Sequence, residues 1–482
     1  MSTFTRYASP NERRTISRED VGFYHALVIG AIYEFPSDTI DVHSARSFVA
    51  PLTSCLQEYP YLSVVIKGRD TEQSFYETSS SVNLEHHISI LQTAPSGDGE
   101  NTSIQQCLPE ILDRPWPADL PPWRIVVLPL ESEDPKLTRC FVAFSFSHAL
   151  GDGMVGVAFH QTLLHALRQS PAAKGMPFLV STSSAALSEP FDTAERLPIS
   201  WSFLLGPLIG AYLPKFLGKL LGFRASASTV DAGTWIGEPM FFDPTAAETS
   251  RVKLLEIEAP LVKNALQVSR DHGTKLTGTM QQMILRALSK VVPEAVPGAN
   301  ITNFVSGTPV DMRASVGIPP LTWGMFVSGY YEVHPRRSDA AEPVMSEESW
   351  TAASSMTKAI SACAATLQDQ AIGLLRYVPG IRKWTLSKIG QQRDSSYELS
   401  NLLAFDNKDE AKQECRVAKM VFSQPGNVTS APLVFNVISV KGGSLMCTVS
   451  WQAGALGVPL GKERAFVNAI CLAIRADFEA LV

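Results

Sequence analysis

The sequence predicts an α/β protein of two domains, and three observations carry that prediction. Short runs rich in β-branched and aromatic residues alternate with stretches of helical periodicity in both halves of the chain. A chain of 482 residues is long for one hydrophobic core. Between the halves, around 190–240, the periodicity lapses into a segment punctuated by proline and glycine. The boundaries that follow are a first domain over 1–190, a crossover or apolar linker over 191–242, and a second domain over 243–482.

Taken in order, Ser17-Arg18-Glu19-Asp20 fits a capping box and is expected to start a short helix. LVIGAIYEF (27–35) reads as a strand. Phe48, Leu52, Leu56 and Tyr59 recur at helical spacing, with Pro51 placed to split or kink that helix. Residues 61–66 read as another strand and 93–103 as a loop. WRIVVLPL (123–130) and the run 140–147 pair around the acidic turn 131–136. The stretch 171–194 lacks periodicity and reads as a linker. In the second half, Met280, Ile284, Leu288 and Val291 share one helical face, and 301–308 and 326–333 are strands. Residues 432–440 and 444–451 flank Lys441-Gly442-Gly443 as a hairpin. A last helix buries Val467, Cys471, Ile474, Phe478 and Leu481.

Composition narrows the function. With 45% hydrophobic and 18% charged residues the chain is globular. A net charge of −6 with no basic stripe argues against nucleic acid and favours small or apolar substrates. Seven scattered cysteines without a C-x-x-C fit a reduced, intracellular protein, and the N-terminus carries no apolar signal-peptide core. Residues 199–223 hold no acid and only Lys215 and Lys219. Their uncharged part is shorter than the ~20 residues of a membrane span. A buried crossover or an apolar lid is expected there. The same segment leaves room for peripheral contact with a membrane or lipid droplet, but the expected location is cytoplasmic.

The chemistry centres on FVAFSFSHALGDG (141–153). A buried strand ends at His148, a glycine-flanked turn holds Asp152, and a helix follows with Val155, Phe159, Leu163 and Leu167 on one face. Rigid scaffolds place reactive groups at such strand ends. The plain alternative is a core histidine followed by an aspartate N-cap. His86-His87 read as an exposed polar pair, and His160 and His165 as core edge or solvent; none has ligand spacing, so no metal site is expected.

Beyond His148-x-x-x-Asp152-Gly153, further segments recur in a known order. They are the Arg14-x-x-x-Arg18-Glu19-Asp20 region with Tyr33, LQEYPYLSVVI (56–66), PVDMR (309–313), WGMFVS (323–328), YELSNLLAF (397–405), MVFSQPGNV (420–428) and VSWQAG (449–454). In these the chain resembles the fungal alcohol O-acetyltransferase family. That family is a branch of the chloramphenicol-acetyltransferase-like superfamily, which also holds the plant BAHD acyltransferases and the peptide-synthetase condensation domains. The resemblance implies two chloramphenicol-acetyltransferase-like domains, each a mixed sheet flanked by helices, with a tunnel between them and His148 at its middle. It implies a monomer of secondary metabolism that takes acyl-CoA (acetyl-CoA) as co-substrate and holds no permanent cofactor. The acceptor would be a small apolar hydroxylated molecule.

The same resemblance makes Asp152 structural, paired with Arg313 of the second domain. It brings Gly153, Trp323 and Gly324 towards the substrate or the oxyanion, although plant relatives carry Asp-Phe-Gly-Trp-Gly where only Trp323-Gly324 stand here. Ser400 and Asn401 could hydrogen-bond the thioester oxygen or simply cap a strand end. Three other readings stay open. They are condensation fed by a carrier protein, disfavoured by Ser147 where a second histidine is usual; donor-free cyclisation or elimination by the same base; and non-catalytic binding of a lipid or terpenoid. Amine acceptors also stay open.

Overall fold

The computed structural model describes residues 2–37, 39–93, 99–169, 176–183, 185–205, 230–246, 249–408 and 415–481. The first part of the chain runs β1 (Ser2–Tyr7), α1 (Pro10–Asp20), β2 (Leu27–Pro36), α2 (Val49–Glu58), β3 (Val64–Lys67), β4 (Phe75–Ser79), β5 (Ser81–Asn83) and β6 (Ile88–Ile90). It continues through α3 (Glu100–Asp113), β7 (Trp123–Leu130), β8 (Leu137–Phe146), α4 (Gly153–Gln169) and β9 (Leu179–Ser181). The second part runs β10 (Ser250–Ile257), α5 (Ala259–Asp271), α6 (Leu276–Ala295), β11 (Asn303–Asp311), β12 (Val327–Pro335), α7 (Glu347–Ala364) and α8 (Ile381–Ser387). It ends with β13 (Tyr397–Phe405), β14 (Arg416–Ser423), β15 (Leu433–Val440), β16 (Leu445–Gln452) and α9 (Glu463–Glu479).

Two mixed sheets organise the molecule. One has the order β14-β2-β8-β7-β6 and the other β10-β16-β15-β13-β11-β12. Strand β14 lies between β13 and β15 in sequence, yet it pairs antiparallel with β2, from Arg416 opposite Glu34 to Ser423 opposite Val28. The second part of the chain thus lends a strand to the first sheet and then returns to its own, where β13 and β15 run parallel. Its side chains split accordingly. Met420 and Phe422 enter the core of α2, α4 and the first sheet, whereas Val421 joins α3, Val252 and Met446 on the opposite face.

Several local expectations need correction. The first helix starts eight residues earlier than the Ser17 capping box implied. Ser9 caps it, Glu12 closes the box on the Ser9 backbone, and Pro10 takes the first turn, where its missing N–H costs nothing. Ser17 to Asp20 form the last turn instead. Pro51 does not kink its helix, because α2 begins at Val49 and the proline falls in the first turn. The expected strand at 61–66 is a 3₁₀ turn over Pro60–Ser63 followed by the short β3. The expected loop at 93–103 is helical from Glu100 onward. Most of the apolar segment 199–223 lies outside the described residues. Among those described, no helix is long and apolar enough to cross a membrane.

The core beneath the motif is aromatic. Phe144 on β8 stacks on Phe159 of α4 at 3.8 Å and 7°, and both are fully buried. This contact sets the strand against the helix on either side of His148. Phe144→Ala is expected to lower unfolding free energy by about 3–5 kcal/mol, measurable by denaturant titration.

Candidate active site

Strand β8 delivers the chain to Ser147, whose N–H donates to Pro122 O at 2.8 Å. Its hydroxyl accepts from Ala149 N at 3.2 Å and donates to the buried carboxylate of Glu19, which Arg69 also holds. Burial pushes the Glu19 carboxyl up from its usual range. A single 3₁₀ turn, His148–Leu150, follows. Three successive carbonyls are then each taken by a different side chain. Ala149 O accepts from Tyr76 Oη (2.8 Å), Leu150 O from Trp323 Nε1 (2.8 Å) and Gly151 O from His148 Nδ1 (2.9 Å). A carbonyl can only accept, so the imidazole proton sits on Nδ1 and the lone pair on Nε2. No group among the described residues pairs with Nε2. Gly151 is required by crowding, since a Cβ there would stand 2.4 Å from Val155 Cγ2.

Asp152 faces away from this nitrogen. Its Oδ1 accepts from Arg313 Nη2 (2.9 Å) and Met154 N (3.1 Å), and its Oδ2 from Phe326 N (2.9 Å). Arg313 also donates through Nε to Thr322 O (3.0 Å), through Nη1 to Asp311 (2.9 Å) and through Nη2 to Gly324 O (3.2 Å). Both side chains are buried, at 1% exposure for Arg313 and 2% for Asp152. Burial opposes the charge on Arg313, and the two aspartates more than offset it, so its pKa is raised. Gly324 holds a φ of 143°, outside the range of ordinary side chains, which lets its carbonyl accept from Asp152 N at 3.2 Å.

The other face of His148 meets α1. The ring of Tyr24 lies 5.8 Å from the imidazole, tilted 45°, and the Arg18 guanidinium lies over Tyr24 at 4.5 Å from its centroid. Tyr24 Oη donates to Gln424 Oε1 (2.8 Å), and Gln424 Nε2 bridges Glu398 (3.0 Å) and Asn436 (2.9 Å). This polar network joins the loop before β2 to strands β13 and β15. Burial lowers the His148 pKa to about 4, with the charges of Arg14 and Arg18 adding to the effect. His148, Arg14, Arg18, Tyr331 and Glu398 are surrounded by protein yet keep accessible surface, as the walls of an internal recess do.

The remaining sequence candidates separate clearly. Trp323 belongs to the core, packed on Tyr59 at 4.3 Å with its indole N–H on Leu150 O. Gly153 opens α4 beneath Leu402, 2.5 Å from where its Cβ would be. The Asn401 amide is occupied at both ends, donating to Thr277 (3.0 Å) and accepting from Leu403 N (2.8 Å). Ser400 lies two residues from Glu398 on β13, hence on the same face, and is opposite Asn436. His87 is buried rather than exposed, stacked on Trp123 at 4.2 Å with Nδ1 on the Trp123 carbonyl. His160 is fully buried between Tyr33 Oη and Ile29 O, both at 2.9 Å. Tyr24, Gln424, Tyr331 and Glu398 were not singled out by sequence. Only the i, i+4 spacing of Arg14 and Arg18 could have pointed towards the recess.

The model of the alcohol acetyltransferase family matches residues 100–467. The chain belongs to that family. It is thus an acyltransferase of mixed α/β architecture. Among curated relatives, it is similar to the probable alcohol acetyltransferase FCK4 of Fusarium pseudograminearum, at 24% identity over 86% of this chain and 84% of that one. Among solved structures, it is similar to the TRI3 trichothecene 15-O-acetyltransferase of Fusarium sporotrichioides (14% identity, 99% and 94% covered, TM-score 0.64). It is similar also to the first condensation domain of the CDA synthetase (14% identity, 98% of each chain, TM-score 0.59). Likeness at these identities shows the fold, and both neighbours have the two-domain chloramphenicol-acetyltransferase-like architecture.

Two outcomes follow for this alcohol acetyltransferase family member. Asp152→Asn and Arg313→Ala each leave a buried partner uncompensated and are expected to cost about 3–5 kcal/mol of stability in chemical denaturation. If the reaction uses the base form of His148, whose pKa is lowered to about 4, kcat/KM should stay flat from neutral pH downwards. It should fall only as the pH drops through about 4, a limb read directly from a pH–rate profile.

Proposed function

We propose that the protein transfers an acyl group from acyl-CoA to a hydroxyl, with His148 as general base and no covalent acyl-enzyme. The observation that supports this most directly is the His148 tautomer. Gly151 O accepts from Nδ1 at 2.9 Å, which leaves Nε2 unprotonated and, among the described residues, unpartnered. A hydroxyl is a poor nucleophile at neutral pH. His148 Nε2 takes its proton as the oxygen attacks the thioester carbonyl. The tetrahedral intermediate collapses with cleavage of the C–S bond, and the imidazolium returns the proton to the leaving CoA thiolate.

The developing oxyanion needs donors. The Trp323 indole N–H is engaged by Leu150 O and the Asn401 amide is held by Thr277 and Leu403 N, so Ser400 Oγ and the Gly153 N–H at the first turn of α4 are the groups we assign to it. The positive end of α4 adds to the same effect. Asp152 and Arg313 act by holding the turn and do not touch the substrates.

The test is free-thiol release from acetyl-CoA and longer acyl-CoAs with a panel of hydroxylated acceptors. His148→Ala is expected to keep the wild-type melting curve and to lose about 10²–10⁴-fold in turnover. Thiol release that does not depend on an acceptor, or that survives the substitution, would overturn the assignment.

A further inference from the structure

Arg14 and Arg18 stand one helical turn apart on α1, and both lie close enough to His148 for their charge to act on it. Elsewhere in the chain, enclosed arginines hold carboxylates or clusters of carbonyls: Arg313 on Asp152 and Asp311, Arg286 on Asp339 and Asp477, and Arg393 on the carbonyls of Glu238, Asn427 and Ser430. The pair on α1 is different. Arg14 donates only through Nε, to Asn11 Oδ1 at 3.1 Å, and its two terminal nitrogens have no partner among the described residues. Arg18 reaches Asn427 Oδ1 at 3.2 Å, while its Nε, like those of Arg6, Arg13, Arg337 and Arg382, is buried without a partner among the described residues.

The acids nearest the pair do not neutralise it. Glu398 acts on both arginines and Asp394 on Arg18, yet among the described residues neither acid forms an ion pair with them. Burial pushes the Glu398 carboxyl up, towards its neutral form, and Gln424 holds one of its oxygens at 3.0 Å. Lys388, stacked on Trp384 at 4.4 Å, adds a third cation, and Tyr331 and Tyr24 complete the wall. Two enclosed guanidinium groups with donors unpaired and no ion-paired carboxylate among the described residues are costly in the empty protein, and an anion relieves that cost.

We propose that Arg14 and Arg18 form an anion subsite beside His148 that binds a carboxylate of the acceptor, so that the acceptor is a hydroxy acid. The inference rests on the acyl-transfer reading above and adds the acceptor's chemical class. The other anion available to such an enzyme is a CoA phosphate. The pantetheine arm separates that phosphate from the thioester by a length like four or five extended residues, on the order of 15 Å. The Arg18 guanidinium and the imidazole both pack against the single ring of Tyr24, at 4.5 and 5.8 Å from its centroid. A carboxylate a ring's width from the reacting hydroxyl fits that interval, and a phosphate does not. A bound carboxylate would also cancel the two charges that lower His148, returning basicity to the base as the acceptor arrives.

The experiment compares hydroxy acids, namely hydroxybenzoates, hydroxycyclohexanecarboxylates and short-chain hydroxy acids, each with its own methyl ester. Thiol release from acetyl-CoA at pH 7 is measured with the wild type, Arg14→Gln, Arg18→Gln and Arg14→Lys. The wild type is expected to favour at least one acid over its ester in kcat/KM by about 10- to 100-fold, the worth of one or two charge-assisted hydrogen bonds. The glutamine variants should collapse that ratio, and the lysine variant should keep part of it. Binding of the preferred acid to His148→Ala, followed by calorimetry, should weaken in the same variants. It reads the subsite without turnover, so a failure of the acyl-transfer reading remains distinct from a failure of this one. Equal use of acids and esters across the panel, with no acid bound more tightly than its ester, would overturn the proposal. So would a rise confined to the KM for acetyl-CoA, which would assign the pair to the CoA phosphates.

Discussion

The contact between Asp152 and Arg313 is the constraint on which the geometry of the turn carrying His148 depends. Asp152 belongs to the turn after β8, and Arg313 follows β11 of the other sheet. The pair is too deeply buried for water to replace either partner, so each charge is tolerable only while the other is present. The hydrogen bonds around it are all spoken for, with Phe326 N and Met154 N on the carboxylate and Thr322 O and Gly324 O on the guanidinium. Its effect is positional. It fixes the turn that carries His148 against the second sheet, and so decides where the imidazole stands relative to groups that β13 and β15 supply.

A second constraint acts on the ring itself. The turn would be free to rock if its carbonyls were solvated, but Tyr76, Trp323 and His148 each claim one. Those donors come from β4, from the loop before β12 and from the turn itself, so three separate parts of the chain agree on one backbone path. The third bond also chooses the tautomer. Glu19 and Ser147 finish the arrangement from below, since the serine hydroxyl holds the start of the turn and the buried carboxylate holds the serine. His148 therefore loses neither its lone pair nor its orientation to competing contacts among the described residues.

How much of this was legible in the sequence follows from the range of the interactions involved. The strand, turn and helix around His148 could be read because their signals are local: a seven-residue apolar run, a glycine-flanked turn and a four-residue period on α4. The terminal hairpin at Lys441-Gly442-Gly443 was legible for the same reason. The start of α1 was misread because Ser17 and Asp20 match a cap in isolation, whereas Ser9, Pro10 and Glu12 match it more completely. Strand β14 is β-like in composition, but nothing in MVFS says that its partner is β2, since periodicity sets a face and leaves the neighbour open. Asn401 looked like a free donor at a strand end. The irregular pairing after it, with Leu403 at a φ of 63°, takes its amide oxygen, and its nitrogen donates to Thr277.

The donated strand gives the recess its character. Gln424 comes directly after β14, as the chain leaves the first sheet for β15, and it is there that it meets Tyr24, Glu398 and Asn436. Because β14 is hydrogen-bonded to β2, that glutamine is fixed to the same sheet that presents Tyr24, and only its amide reaches the strands of the other. The network is therefore a bridge between two rigid sheets rather than a contact between two loops. It holds the aromatic ring of Tyr24 against both the imidazole, 5.8 Å away, and the Arg18 guanidinium, 4.5 Å from its centroid. Burial, with the nearby charges of Arg14 and Arg18 adding to it, keeps His148 neutral while the recess stays cationic. A site so arranged can hold a negatively charged group and still offer an unprotonated nitrogen to a hydroxyl.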